Sequence, residues 1–154
     1  MKDKIKIFFI FLILNFSALG IGSYFTGSGV TSDWYINLVK APWTPPGYVF
    51  GISWTVIMIC YAIYLSIMVN SDNKKKLMYL YALQWILNVL WNPIFFGINQ
   101  TGISLIEILL LLIVVSYTTF TFLSPSKKYS LLNLPYIIWL LIASSLNTYI
   151  WLYN

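Results

Sequence analysis

Apolar residues dominate five stretches of this chain, at about residues 5–26, 47–69, 77–98, 103–123 and 130–153. Each is close to the roughly 20 residues that a helix needs to cross the hydrocarbon of a bilayer. The pattern therefore predicts an all-α membrane protein, one domain over residues 1–154, with five transmembrane helices in a bundle. The stretches are separated by short polar turns except in one place. Residues 27–46 form a long connection that begins with Gly-Ser-Gly-Val-Thr-Ser-Asp and ends in Pro42-Trp-Thr-Pro45-Pro46. Proline fixes φ and removes a backbone donor, so this segment cannot be a helix interior. It reads as a stiff loop feeding the second span, with Trp43 and Tyr48 at interface depth and Trp54 one or two turns further in.

Within the spans, helical spacing sorts residues onto faces. Ala18, Gly22 and Thr26 recur every four residues in the first span, a small-residue face that lets another helix approach closely; Gly47 and Gly51 make a second such pair. Phe50, Trp54, Met58, Tyr61 and Leu65 share a face of the second span. Gln84, Asn88, Trp91 and Phe95 form one stripe on the third, and Pro93 predicts a kink near its end. Amides in hydrocarbon are costly unless they face other helices or a polar cavity, so Gln84 and Asn88 are either interhelical glue or a lining. The middle of the fourth span has no polar group, which reads as the span most exposed to lipid or to a second subunit. Glu107 lies about one turn inside it and reads as reaching the interface or being neutral. Asn133 and Pro135 suit the start of the fifth span, as cap and first-turn proline. Trp139, Ala143, Asn147 and Ile150 then share a face, with Ala143 leaving a recess beside Trp139.

Composition narrows the class. The chain is 60% hydrophobic and 8% charged, against about 25% charged in soluble domains. Eight of the nine basic residues (Lys2, Lys4, Lys6, Lys74, Lys75, Lys76, Lys127 and Lys128) fall at the amino terminus, in the 70–76 turn or in the 124–129 turn. That bias puts the amino terminus inside, the carboxyl terminus outside and the aromatic loop outside, in a multi-pass protein of the cell membrane. It is a topology signal and not a nucleic-acid surface. The amino-terminal run also has the form of a signal peptide, with Ala18-Leu-Gly20 as a cleavage site; a retained span is the reading taken. There is no histidine and a single cysteine, Cys60, which removes the usual zinc, copper and non-haem iron ligand sets. The four acids, Asp3, Asp33, Asp72 and Glu107, lie in different segments and make no carboxylate pair. No metal or resident cofactor is expected. What remains is a set of indoles on three spans beneath a roof of Trp34, Tyr35 and Trp43, which is either an aromatic belt or a lid. A cavity so lined would be flat-walled and apolar with a few amides, suited to a large planar hydrophobic molecule; a packed aromatic core is the competing reading.

Three strings carry a resemblance. They are Trp34-Tyr35 with Lys40-Ala-Pro-Trp43-Thr-Pro45-Pro46 and Val49-Phe50-Gly51-x-x-Trp54-Thr; Gln84-x-x-x-Asn88-x-x-Trp91-x-Pro93-Ile-Phe95-Phe96-Gly97; and Leu134-Pro135-Tyr136-x-x-Trp139-x-x-x-Ala143-x-x-Leu146-Asn147. Together they resemble the translocator-protein family, also called tryptophan-rich sensory proteins. The resemblance implies a five-helix bundle, commonly a homodimer, with a pocket under the first loop that binds porphyrins and benzodiazepine-site ligands. Carried over by position, the pocket is Ser23, Tyr35, Trp54, Asn88, Trp91, Phe95, Trp139 and Ala143. Some bacterial members degrade bound protoporphyrin in light, and by resemblance Trp54 and Trp139 would be the electron donors. Two departures stand out. The loop reads Lys40-Ala41-Pro42 where the family has Lys-Pro, and no basic residue follows Tyr149, as the family's sterol motif requires. A porphyrin receptor is the first expectation, a transporter of tetrapyrroles or other hydrophobic ligands the alternative, and a small interaction protein the third.

Overall fold

The computed structural model describes residues 2–71, 73–122 and 127–154, and its regular elements there are all helical. In chain order they are α1 (Lys2–Gly29), α2 (Asp33–Asn37), α3 (Gly47–Met68), α4 (Lys74–Asn92), α5 (Thr101–Thr121), α6 (Lys127–Ser130) and α7 (Leu134–Tyr153). A π-helical turn, Pro93–Gly97, follows α4, and a 3-10 turn, Leu131–Asn133, precedes α7. The π turn sits where Pro93 withholds a backbone donor, which is the local cause of the expected kink. Part of the expected 124–129 turn is the helix α6; residues 123–126 and Asp72 lie outside the described residues.

Successive long helices run in alternating directions and their contacts close a ring: α1 on α3, α3 on α7, α7 on α5, α5 on α4, and α4 back on α1. The interior of the ring holds Tyr61, Tyr64, Leu65, Leu77, Leu111, Tyr136 and Leu140, each almost fully buried. The segments Asp3–Gly29, Gly47–Met68, Thr101–Thr121 and Lys128–Tyr153 are long and apolar enough to cross a membrane. α4 is not among those four; it opens with Lys74, Lys75 and Lys76 and carries Gln84, Asn88 and Asn92.

Three expectations are corrected. The fourth span is not the most exposed: 44% of the α5 window is buried inside the bundle, against 22% for α1. Leucine and valine on a helix serve a protein core as readily as lipid, and α5 packs on both α4 and α7. Glu107 does not reach the interface; it is 5% exposed and faces the bundle. Asn133 precedes α7 but makes no side-chain cap. Its Nδ2 instead donates to Thr119 Oγ1 at 3.0 Å, tying the start of α7 to α5.

The small-residue face of α1 meets the end of α4. Thr26 Oγ1 donates to Asn92 Oδ1 at 2.7 Å. A Cβ on Gly22 would lie 2.5 Å from Asn92 Nδ2. Two turns on, a Cβ on Gly29 would strike the Phe96 ring. Gly47 and Gly51 touch nothing comparable, so that pair makes no close approach within the chain. Gly22→Val should displace Asn92 and destabilise the detergent-purified protein by about 1–3 kcal/mol. The check is thermal unfolding, with Gly47→Ala unchanged as the control.

Candidate functional site

The loop after α1 is built from local bonds. Ser32 caps α2 by accepting from Tyr35 N at 3.2 Å. Lys40 turns back over the Tyr35 ring, 4.5 Å from its centroid, and its Nζ donates to the carbonyl oxygens of Tyr35, at 2.6 Å, and Leu38, at 3.3 Å. Burial pushes the Tyr35 phenol above its ordinary range, so it is a neutral donor and acceptor at physiological pH.

From Leu38 the chain runs extended along α7. Val39 N donates to Asn154 Oδ1 at 2.9 Å, and Asn154 Nδ2 donates back to Val39 O at 3.2 Å. Trp43 Nε1 donates to Ser145 Oγ at 3.1 Å, and the Trp43 ring meets Tyr149 edge-on. Phe50, in the first turn of α3, meets Trp139 edge-on at 5.2 Å. These partners step from the end of α7 to a point roughly 22 Å lower at 1.5 Å per residue. The proline-rich segment thus takes the place of helix at the top of α3 and sets α3 lower than its neighbours.

That offset brings the second and fifth spans into register. Trp54 packs edge-on against Tyr136 at 5.7 Å, one turn below the Phe50–Trp139 pair. Tyr136 is 1% exposed, and its hydroxyl accepts from Gln84 Nε2 and from Asn88 Nδ2, both at 2.7 Å. One phenol therefore joins α3, α4 and α7. Nearer the loop, Trp91 Nε1 donates to Asn147 Oδ1 at 3.1 Å, as does Ser104 Oγ, while Asn147 Nδ2 donates to Thr101 O at 2.9 Å. Trp91 stacks on Phe95 at 4.8 Å, and Trp34 and Tyr35 close over Phe95 and Phe96.

The expected residues divide accordingly. Tyr35, Trp91 and Phe95 make an aromatic group under the loop. Trp54, Trp139 and Asn88 make a deeper group around Tyr136 and Phe50. Ala143, half-buried, lies one turn above Trp139 and packs on the same core. Ser23 is exposed and bonds only its own helix, at Gly20 O. The residue that sequence reasoning passed over is Tyr136, three positions before Trp139 and on its face. Gln84 was recognised as a buried amide but not as a partner in this group.

A hollow of about 270 Å³ opens between α3 and α7, lined by Ile52, Ser53, Val56, Ile57, Pro135, Ile138 and Trp139. Trp139 Nε1, in that lining, has no hydrogen-bond partner among the described residues, and neither do Gln84 Oε1, Tyr61 OH, Ser144 Oγ and both Glu107 oxygens elsewhere in the interior. Buried polar atoms are paired in the great majority of cases, so these atoms stand out within the core.

Residues 9–152 match the TspO/MBR family. The chain belongs to that family. It is 37% identical over 145 residues to the tryptophan-rich protein TspO of Archaeoglobus fulgidus, covering 92% of this chain and 94% of that one. It is 30% identical over 137 residues to the tryptophan-rich sensory protein of Cereibacter sphaeroides, covering 88% and 87%. It is 31% identical over 137 residues to the human translocator protein, covering 85% and 80%. The chain is a TspO/MBR membrane protein, and its apolar helices fit that setting.

Tyr136→Phe should strand the Gln84 and Asn88 amides and cost about 1–3 kcal/mol. Thermal unfolding of the purified protein checks this, with the exposed Tyr153→Phe expected to leave the transition in place.

Proposed function

We propose that this TspO/MBR protein is a receptor for a flat, apolar small molecule of the porphyrin class, held between α3, α4 and α7 beneath the aromatic loop. The observation that carries the reading is the seam itself. Trp54 and Trp139 face one another's helices across α3 and α7, and Trp139, whose Nε1 has no hydrogen-bond partner among the described residues, lines a hollow between them. Indole faces stack on planar rings, and a few amides fix the polar edge. Tyr35, Trp91 and Phe95 roof the site, while Asn88 and Tyr136 orient the ligand. Ser23 and Ala143 complete the set that the family pattern supplies, and a benzodiazepine-site ligand fits the same description.

The 270 Å³ hollow is smaller than the roughly 300–1,000 Å³ of sites that enclose drug-sized ligands. Binding a tetrapyrrole therefore requires the seam or the loop to part. In the same reading Trp54 and Trp139 donate an electron to a photoexcited ring, with oxygen as the final oxidant. In this reading α4 is the fifth membrane span, shielded by its neighbours. The lysine-rich ends of α1 and α4 face the cytoplasm, the loop faces outward across the cell membrane, and a homodimer forms through exposed apolar faces.

Titrating protoporphyrin into the detergent-purified protein should quench tryptophan fluorescence to saturation. Trp54→Phe and Trp139→Phe should each weaken binding by about tenfold, the loss of roughly one aromatic contact of 1–1.5 kcal/mol. Under light the parent should bleach the bound porphyrin, and the double variant should not. Absence of saturable quenching in the parent would overturn the receptor reading.

A further inference from the structure

The long helices close a ring, and its neighbouring pairs are not joined alike. Asn15 of α1 donates to Met58 O of α3 at 3.0 Å. Thr26 and Asn92 join α1 to α4, Lys76 Nζ donates to Tyr117 OH between α4 and α5, and Ser104 donates to Asn147 between α5 and α7. The side-chain bonds of α3 run to α1, to α5 and within α3 itself; among the described residues none reaches α7. α3 and α7 are also the neighbours in thinnest contact. They meet through aromatic edges, Phe50 on Trp139 and Tyr136 on Trp54 and Tyr61.

In a bilayer this difference decides which pair opens. Lipid tails are as apolar as the side chains between two helices, so a pair is held by close packing and by the hydrogen bonds across it. Separating α3 from α7 gives up packing and breaks no side-chain hydrogen bond between them. Trp139 is almost fully buried at this seam, and its Nε1 has no partner among the described residues, so its ring turns without losing a bond. The hollow lies on the same seam and opens outward, since Ile52, Val56 and Ile138 of its lining are exposed on the flank of the bundle.

Both ends of the seam are tied. At the loop end Trp43 Nε1 holds Ser145 of α7, and Val39 exchanges two bonds with Asn154. At the other end α3 packs on the 3-10 turn that precedes α7. A parting is therefore confined to the middle, at the level of Trp54 and Trp139. Entry through the loop would break the bonds of Trp43, Val39 and Lys40 and lift Trp34 and Tyr35 from Phe95 and Phe96.

We propose that the α3–α7 seam is a lateral gate, with Trp139 as its leaf, through which a flat apolar ligand enters the bundle from the bilayer. The inference rests on the pocket reading given under the preceding heading. It adds the route by which the pocket fills and the source of the ligand, which is the lipid phase.

The test holds the gate shut. In full-length protein carrying Cys60→Ala, which removes the native thiol, Ile52→Cys and Ile138→Cys are joined by a bifunctional thiol reagent that spans the hollow. A second protein is joined in the same way at Trp43→Cys and Ser145→Cys, which fixes the loop to α7 and leaves the seam free. Both are placed in phosphatidylcholine vesicles, and protoporphyrin uptake is followed by tryptophan quenching. Joining the seam should slow uptake by about tenfold, and joining it after loading should slow release into empty vesicles by the same factor. Joining the loop should leave both rates as they are. If the Ile52 and Ile138 pair loses the parent's thermal transition before it is joined, Ser53→Cys with Ile138→Cys takes its place. Uptake by the seam-joined protein at the unjoined rate, or equal slowing by both bridges, overturns the gate and leaves the pocket standing. A parent without saturable quenching removes the pocket reading along with it.

Discussion

The structure depends on the descent of residues 38–46 along α7. Irregular backbone is tolerated within an apolar bundle only where its polar groups find partners or are removed. This segment does both. Pro42, Pro45 and Pro46 carry no N–H, Val39 exchanges two bonds with the Asn154 side chain, Thr44 N donates to Ala41 O, and Lys40 caps carbonyls that a helix would have used. Because the backbone is satisfied without being helical, α3 can begin deep in the bundle, at Gly47. Had the helix started higher, Trp54 would sit above Tyr136, and the Phe50–Trp139 contact would be lost.

A second constraint follows from the first. With the indoles of α3 set against α7, the remaining wall of the seam is α4, and α4 meets it with amides. Gln84 and Asn88 both spend a donor on the Tyr136 hydroxyl, so the polar content of the third helix is anchored on the fifth. The same arrangement leaves Gln84 Oε1 without a partner among the described residues, a cost to the core. At the loop end the logic differs: Trp91, Ser104, Thr101 and Asn147 satisfy one another, and the aromatic stack above them is closed. The bonded upper layer holds the helices together, and the lower layer is joined through the Tyr136 hydroxyl.

Helical spacing in the sequence reveals faces, and it revealed Trp54, Asn88, Trp91 and Trp139 as interior. It carries no information on vertical offset between neighbouring helices. Counting from the helix ends puts Phe50 near the outer end of the second span and Trp139 nearer the inner end of the fifth, whereas the extended segment brings them to 5.2 Å. Tyr136 was hidden for a related reason: a tyrosine near a helix start reads as an interface residue, and only the depth of its neighbours makes it the centre of the group. α5 was misread because an unbroken run of Leu, Ile and Val satisfies lipid and protein equally. Only toward its ends do the two faces differ in composition: Ser104, Glu107, Thr118 and Thr119 are buried, whereas Ile106, Ile113 and Phe120 are exposed.

Glu107 shows why that last ambiguity matters. On a lipid-facing helix, a carboxyl one turn from the end extends to water and needs no further account. On a helix packed between α4 and α7 it cannot, and a buried carboxyl without partners is expensive in either protonation state. The expense is carried by a helix that has many apolar alternatives at the same position, which would pack as well. On the facing helix, Tyr136 already accepts two amides and Ser144 is itself unpaired.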